Sequence, residues 1–258
     1  MDSADDRPVA FVSAAAGGAG RTIAIRLMDA GYRVVACDID AAAVESLGRY
    51  GDAVAARVCD MSDADAVAEQ FRAVTAAFGR LDLLVNNVGI AGPTAAAEDV
   101  SLADWDRTMR TNVTSHFLCS RLAIPLMKAR RSGAIVNISS ASVKVGLPLR
   151  LPYVVSKSAL LGLTTNPARE LGPFGIRVNA ILPGAIEGER LDRIVNSKAR
   201  ALGMAPEAYR AELLKFISLR STVSPDDIAA AILFLASDAG RRITGQCIGV
   251  DGNLEYEA

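Results

Sequence analysis

The stretch SAAAGGAG, residues 13–20, decides the fold. It follows the short apolar run Val9–Ser13 and precedes a segment in which apolar residues recur at helical spacing. A glycine-rich turn between a buried strand and a helix is typical of α/β folds that bind a dinucleotide, because glycines permit a tight turn and a close approach of phosphate. Gly18 and Gly20 keep that pattern, while Ala14 stands where the first glycine is expected.

Short β-branched runs alternate with longer helical patterns along the whole chain. The predicted strands are Val9–Ser13, Arg33–Cys37, Ala53–Cys59, Leu81–Val85, Ala134–Ile138, Ile176–Leu182 and Gln246–Val250. The predicted helices are Gly20–Ala30, Ala41–Leu47, Asp65–Phe78, two within about 101–130, Tyr153–Leu171 and Asp226–Ala236. Continuous apolar strands are buried on both faces, so the pattern predicts a doubly wound, parallel α/β sheet of the Rossmann type. A (β/α)₈ barrel has the same alternation, but the glycine loop after the first strand favours the doubly wound sheet.

The composition fits one domain over residues 1–258. Hydrophobic residues make up 51% of the chain, and no linker rich in Pro, Gly or Ser divides it. Residues 1–7 are polar, and we expect them to be disordered. Residues 187–219 form a long segment with a helical pattern.

Charge and cysteine usage exclude several function classes. The chain has 28 Lys and Arg against 29 Asp and Glu, and the net charge of −1 argues against a nucleic-acid surface. No apolar stretch is long enough to span a bilayer and no secretion signal is recognisable, so we expect a cytoplasmic protein. The four cysteines lack metal-site spacing and the single histidine, His116, lies in a helical pattern, so we expect no metal site.

Asp38 ends the second predicted strand, about twenty residues after the glycine loop. A carboxylate at this place accepts hydrogen bonds from both ribose hydroxyls of NAD and repels the 2′-phosphate of NADP. The alternative is that Asp38 only caps the helix that follows. The pattern favours NAD as the cofactor.

The later motifs resemble those of the short-chain dehydrogenase/reductase family. They occur in the order and spacing of that family from Pro8 onward. The motifs are SAAAGGAG, CDM at 59–61, NNVG at 86–89, Asn112, NISS at 137–140, YVVSK at 153–157, RVNAILPG at 177–184 and ITGQCIGVDGN at 243–253. Each motif is weak alone, but together they are specific.

The chemistry of the catalytic motif follows from its residue types. Tyr153 and Lys157 are spaced i,i+4 and share one face of a helix. A free tyrosine, with a pKa near 10, is a poor base at neutral pH. A neighbouring ammonium stabilises the phenolate, so that Tyr153 can take the proton of an alcohol or return it. The alternative is an ordinary exposed tyrosine and lysine, which the presence of Ser140 thirteen residues upstream disfavours.

The resemblance assigns roles to further residues. It implies that Ser140, rather than Ser139, holds the substrate oxygen and that Asn112 orders a water leading to Lys157. It implies that the cofactor is bound by Ser13, Ala14, Gly18, Ala19, Asp38, Asp60, Met61, Asn87, Gly89, Tyr153, Lys157 and Ile186. It also implies a homotetramer or homodimer acting on a small-molecule substrate.

Three positions depart from the family pattern. A positive φ at Ala14 would strain the alanine, whereas a negative φ would tolerate its methyl group; we expect a shifted loop that still binds. Gly188 stands where many relatives have a threonine that grips the nicotinamide amide. Pro167 lies within a predicted helix and predicts a kink there.

The resemblance also implies that segment 187–219 covers the substrate, and cations surround this region. Lys144 and Arg150 lie between Ser140 and Tyr153, and more charged residues crowd the start of segment 187–219. They indicate either a polar or anionic substrate or ordinary solvated surface charges.

The sequence therefore predicts an oxidoreductase that transfers hydride between NAD(H) and a secondary alcohol or ketone. One alternative is an NADPH-dependent ketoreductase of the 3-oxoacyl type. Asp38 argues against it because its carboxylate repels the 2′-phosphate, and Gly17 argues against it because it provides no cation for that phosphate. Another is a protein that binds NAD without turnover.

Overall fold

A seven-stranded parallel sheet forms the centre of the molecule, which we describe from a computed structural model over residues 6–255. The strands are β1 (Val9–Ser13), β2 (Arg33–Asp38), β3 (Val54–Val58), β4 (Leu83–Asn86), β5 (Gly133–Ile138), β6 (Ile176–Pro183) and β7 (Cys247–Val250). Their order in the sheet is β3-β2-β1-β4-β5-β6-β7. The doubly wound fold and the single domain predicted from the sequence are confirmed.

Helices cover both faces of this sheet. They are α1 (Gly18–Asp29), α2 (Ala41–Glu45), α3 (Ala64–Phe78), α4 (Leu102–Met109), α5 (Ser115–Arg130), α6 (Ser142–Val145), α7 (Leu151–Leu171), α8 (Glu189–Leu202), α9 (Pro206–Lys215) and α10 (Pro225–Ala236). Buried side chains of α1, α2 and α10 pack on one face, and those of α3, α5 and α7 pack on the other. Each strand therefore needs apolar residues on both sides, which is why its sequence is a continuous apolar run.

The strand order reverses beside β1, and this reversal positions the site. β1 pairs with β2 on one side and with β4 on the other, so the connections after β1 and β4 leave in opposite directions. Ligands of doubly wound sheets bind in the crevice outside the carboxyl ends of the strands at such a point. Ser13, Asp38, Asn86 and Ile138 end four of the strands at this edge.

The predicted elements match the observed ones closely, with differences at their ends. The fourth strand begins at Leu83 rather than Leu81, and the helix with the catalytic motif begins at Leu151 rather than Tyr153. The short helix α6 was not predicted from the sequence. Segment 187–219 contains α8 and α9.

Pro167 lies inside α7 without ending it, since the helix is continuous from Leu151 to Leu171. A proline has no N–H for the carbonyl four residues earlier, which here belongs to Leu163. The side-chain amide of Asn137 on β5 donates to that carbonyl at 3.4 Å and to the Thr164 hydroxyl at 3.0 Å. A strand side chain thus supplies a donor that the helix lacks.

The prediction of disorder over residues 1–7 falls largely on residues 1–5, which lie outside the described residues. Arg7 forms an ion pair with Asp52 at 2.9 Å.

Within residues 6–255, no helix combines the length and apolar character needed to cross a membrane.

Candidate active site

The end of β1 is tied to the segment that follows β4. The Ser13 hydroxyl accepts from the backbone N–H groups of Asn87 (2.9 Å) and Val88 (3.1 Å). The Asn87 amide in turn donates to the carbonyls of Ser13 (3.2 Å) and Ala14 (3.0 Å). These bonds cross the point where the strand order reverses, so they fix the mouth of the crevice.

Ala14 has a positive φ of +51°, so it adopts the strained conformation rather than the relaxed one with negative φ. An L-residue in this region brings its Cβ close to backbone oxygen, at about 1–2 kcal/mol. The surroundings hold it there: Asn87 binds its carbonyl, and a Cβ built on Gly20 would lie 1.8 Å from the Ala14 oxygen. Gly20 is therefore required by close packing against the strained turn.

The turn has the features of a phosphate site. α1 begins at Gly18, and no side chain caps its N-terminus. Built Cβ atoms on Gly17 and Gly18 meet nothing within 4 Å, so the space beside both glycines is open. Free N–H groups at a helix N-terminus bind anions. The loop therefore fits the pyrophosphate of a dinucleotide, with Ala19 in the first turn of the helix.

Asp38 is joined to the glycine loop. Its carboxylate accepts from the backbone N–H of Ala16 at 2.9 Å and from that of Asp40 at 3.2 Å. Asp40, rather than Asp38, caps α2, because its side chain accepts from Ala43 N–H. The capping alternative for Asp38 is therefore wrong, and its carboxylate lies beside the loop that fits the pyrophosphate.

The other predicted cofactor residues lie at the same edge of the sheet, with different surroundings. Asp60 is exposed after β3, whereas the side chain of Met61 is buried among the core residues. Ile186 follows β6 and pairs with Val223 in an isolated bridge. Gly188 has φ of +126°, a conformation that would strain the threonine found in many relatives, so its glycine is required by the backbone.

A π-helical turn over Arg110–Thr114 places Asn112 between two segments. The Asn112 side chain accepts from Ile90 N–H (2.7 Å) and donates to the Ile90 carbonyl (3.0 Å) and to the Ser156 hydroxyl (2.9 Å). It thereby joins the segment after β4 to α7. Ser156 is a functional residue that the sequence did not predict, because a serine directly before Lys157 within YVVSK has no signal of its own.

Lys157 lies at the bottom of the crevice, with only 4% of its surface exposed. Its amine donates to the Ile138 carbonyl at 2.8 Å. A Cβ built on Gly89 would lie 3.0 Å from the Lys157 amine and 3.5 Å from Asn112 Oδ1. The lysine and the asparagine therefore converge on Gly89, where a side chain would crowd the Lys157 amine.

Burial, with the charge of Arg190 on α8 acting in the same direction, lowers the pKa of Lys157 to about 7. Burial and the neighbouring Lys157 also lower the pKa of His116, to about 3. His116 is therefore neutral, and its Nε2 donates to the Val88 carbonyl at 3.0 Å. This is the structural role expected for the histidine.

Ser140 and Tyr153 both precede this lysine along the chain. The Ser140 hydroxyl accepts from the hydroxyl of Ser142 at 2.9 Å, at the start of α6. The Ser139 hydroxyl is committed elsewhere, since it donates to the Lys157 carbonyl at 2.8 Å. Tyr153 lies in the first turn of α7, one turn before Lys157.

Comparison with known proteins agrees with this geometry. The family model described as enoyl-(acyl carrier protein) reductase matches residues 14–254. The chain belongs to the short-chain dehydrogenase/reductase family. As a member of that family, it is an oxidoreductase that binds a nicotinamide dinucleotide.

Three proteins illustrate the range of its similarity. A 3-oxoacyl-[acyl-carrier-protein] reductase of Thermotoga maritima is 33% identical over 250 residues, which cover 95% of this chain and 97% of the relative. An NAD⁺-bound xylitol dehydrogenase has a TM-score of 0.88 at 29% identity, covering 95% of this chain and 98% of that one. An NADPH-dependent reductase involved in bacilysin biosynthesis has a TM-score of 0.89 at 26% identity, covering 98% and 100%.

The strain at Ala14 predicts that glycine at this position stabilises the protein. We expect Ala14→Gly to raise the free energy of unfolding by about 1 kcal/mol, because glycine adopts positive φ without a Cβ penalty. Cofactor affinity should change only modestly. Chemical denaturation and NADH fluorescence measure the two effects. Ala16→Gly, at a position without positive φ, is the matched control and should not stabilise. Equal effects of both substitutions would show that Ala14 is unstrained.

The buried Lys157 predicts a pH-dependent term in stability. Between pH 7 and about 10 the unfolded chain holds a proton on this lysine that the folded chain has lost, so folding becomes more favourable as the pH rises. Relative to Lys157→Met, the wild type should gain about 2 kcal/mol of unfolding free energy between pH 7 and 9. Below pH 7 the full cost of burying the charge is present.

Denaturant titrations at both pH values measure this difference. Lys198→Met, at an exposed position of α8, is the control and should differ from the wild type by the same amount at each pH. His116 does not interfere, because it titrates at lower pH. A Lys157→Met difference independent of pH would contradict the shifted pKa.

Proposed function

We propose that the protein is an NAD-dependent dehydrogenase/reductase that interconverts a secondary alcohol and a ketone. The observation that carries the proposal is the convergence of Lys157 and Asn112 on Gly89, with Tyr153 one helical turn before the lysine. Ser140 follows the adjacent strand end. A binding protein without turnover would not need this set of polar groups around one point.

Each residue has a role that its surroundings support. Tyr153 exchanges a proton with the substrate oxygen, and the Ser140 hydroxyl holds that oxygen in place. The amine of Lys157 stabilises the phenolate, and Asn112 joins the lysine's surroundings to the backbone of Ile90. When bound, the nicotinamide cofactor supplies the acceptor or donor of hydride.

The preference for NAD rests on the place of Asp38. Its carboxylate is fixed beside the glycine loop by Ala16 N–H, where it can accept from ribose hydroxyls and would oppose a 2′-phosphate. Gly17 provides no cation. Arg21, the nearest basic residue of α1, already donates to the Ala16 carbonyl (3.1 Å) and to the Ser46 hydroxyl (2.8 Å).

The second candidate is an NADPH-dependent reductase of 3-oxoacyl groups. The Thermotoga maritima relative favours it. The open cavity of about 550 Å³ beside the start of α7 is also compatible with it, because its walls include Ala95, Val145, Leu149 and Val154. Cofactor preference separates the two candidates.

We further propose that the protein acts as a homotetramer or homodimer on a small-molecule substrate. Large apolar side chains remain exposed on helices of the described chain, among them Phe117 on α5 (47%) and Phe234 on α10 (46%). Exposed apolar surface of this kind is covered in assemblies.

Removal of the phenol hydroxyl tests the proposed mechanism. Tyr153→Phe should lower turnover of a secondary alcohol or ketone by at least about a hundredfold, the usual size of an acid–base contribution, while NADH still binds. Turnover is followed by NADH absorbance with a panel of alcohols, sugars and hydroxy acids. Tyr50→Phe removes a tyrosine hydroxyl away from the site and should keep the wild-type rate. Near-normal turnover in Tyr153→Phe would refute the assignment.

Charge removal at Asp38 tests the cofactor preference. The wild type should favour NAD over NADP by at least about tenfold in kcat/KM, or roughly 1.4 kcal/mol. Asp38→Ala should narrow that ratio, because it weakens NAD binding and relieves repulsion of NADP. Asp38→Asn keeps an acceptor for Ala16 N–H but removes the charge. It therefore distinguishes the effect of the charge on cofactor preference from the effect of losing the bond to the loop. Asp40→Ala removes a nearby charge and should leave the ratio unchanged; equal use of both cofactors by the wild type would contradict the preference.

A further inference from the structure

We infer that Arg150, assisted by Arg190, binds an anionic group of the substrate, and that the substrates are hydroxy acids and oxo acids. This inference rests on the proposed function, since it assigns a substrate class to the site that contains Tyr153.

Arg150 is held in place between two segments that flank the site. It is the residue immediately before α7, three positions before Tyr153. Its guanidinium donates to the Thr94 hydroxyl at 2.7 Å, in the segment that follows β4. A backbone bond from Ala95 N–H to the Leu149 carbonyl, at 3.0 Å, joins the same two segments. The guanidinium is therefore positioned before any substrate arrives.

The backbone beside Arg150 is strained. Leu149 has φ of +65°, a region that a leucine adopts only under constraint from its surroundings. Such strain concentrates at ligand sites, where it holds a neighbouring side chain in position. Leu149 and Leu151, on either side of Arg150, line the open cavity at the start of α7. The apolar part of a substrate can lie there while its charged group meets the arginine.

The cations at this site differ in whether an acidic residue pairs with them. Lys144, in the same connection as Arg150, is neutralised by Asp251 at 3.3 Å. Within the described part of the chain, no carboxylate forms an ion pair with Arg150 or with Arg190. Arg150 is also only partly exposed to solvent. A half-buried guanidinium without a counter-charge is costly, and an anionic ligand relieves that cost.

The charge of Arg190 acts on both Arg150 and Lys157. Burial lowers the pKa of Arg150, the charge of Arg190 acts in the same direction, and the charge of Tyr153 acts in the opposite one. The charge of Arg190 also lowers the pKa of Lys157. Since Arg150 directly precedes α7 and Tyr153 lies in its first turn, an anion held by Arg150 would lie at the same end of α7 as the phenol proposed to exchange the substrate proton.

A carboxylate is the anion that this arrangement fits. A guanidinium presents two parallel N–H groups that match the two oxygens of a carboxylate. Because Arg150 and Tyr153 are three positions apart at the start of α7, we expect few bonds between the carboxylate and the reacting carbon. Short-chain 2-oxo and 3-oxo acids, with the corresponding hydroxy acids, meet this condition.

The test compares short-chain 2-oxo and 3-oxo acids with their methyl esters, using NADH and, in parallel, NADPH. The wild type should reduce at least one acid with a kcat/KM about tenfold or more above that of its ester, since a hydrogen bond to a charged group contributes that much. Arg150→Met should lower kcat/KM for the acid by about tenfold to a hundredfold, mainly through KM, and leave the ester almost unchanged. Arg150→Lys should recover part of the loss, and Arg190→Met should cause a smaller one.

Control variants separate charge at the site from charge in general. Arg200→Met removes a cation from an exposed position near the other end of α8 and should behave as the wild type with acids and esters alike. Thermal melting and NADH binding of Arg150→Met show whether that variant folds. If it does not fold, Arg150→Lys and Arg190→Met carry the comparison.

Several outcomes would overturn the inference. They include equal use of acids and esters by the wild type, an equal loss for both in Arg150→Met, and activity confined to neutral ketones or to phosphate esters. In these cases the proposed oxidoreductase function stands. If the wild type reduces nothing with either cofactor, the proposed function fails, and quenching of bound NADH fluorescence by oxo acids decides the anion site separately. The anion site would then be supported only if the wild type binds the acid and the ester with different affinities and Arg150→Met binds both with the same affinity.

Discussion

The burial of the Lys157 amine is the constraint on which the rest of the site depends. Only 4% of the surface of Lys157 is exposed, so its amine needs a fixed hydrogen-bond partner. The carbonyl of Ile138, at the end of β5, is that partner. Ser139 binds the backbone of the same residue, and Asn112 binds the hydroxyl of the preceding one. The first turns of α7 are therefore attached to the sheet and to the segment after β4 before any ligand binds. The position of Tyr153 follows from that attachment.

The Asp38 carboxylate supports the glycine loop, because it accepts from Ala16 N–H in the turn that fits the pyrophosphate. Under the proposed function, the same carboxylate also binds the ribose of the cofactor. A change of cofactor preference at this position therefore also removes a bond from the turn at Ala16. Because Ala14 in the same turn is already strained, the loop has little stability to lose.

Much of the fold and of the site was predictable from the sequence, for physical reasons. Strands buried on both faces must be continuous apolar runs, and the i,i+4 spacing of Tyr153 and Lys157 fixes their relation on a helix. Other features depend on backbone angles or on distant contacts. The φ of Ala14, the requirement for glycine at position 188 and the pairing of Lys144 with Asp251 have no local signal in the chain. The sequence could suggest several cations near the substrate, but only the structure separates the paired lysine from Arg150.

The bond from Asn137 to the Leu163 carbonyl links a strand to a helix at a proline. Most helix carbonyls accept hydrogen bonds within their own helix. Here one helix carbonyl accepts from a strand side chain instead, so a substitution of Asn137 should be tolerated differently depending on whether position 167 has an N–H group. Transplanting α7 into a related protein would therefore require the asparagine of β5 to be transplanted with it.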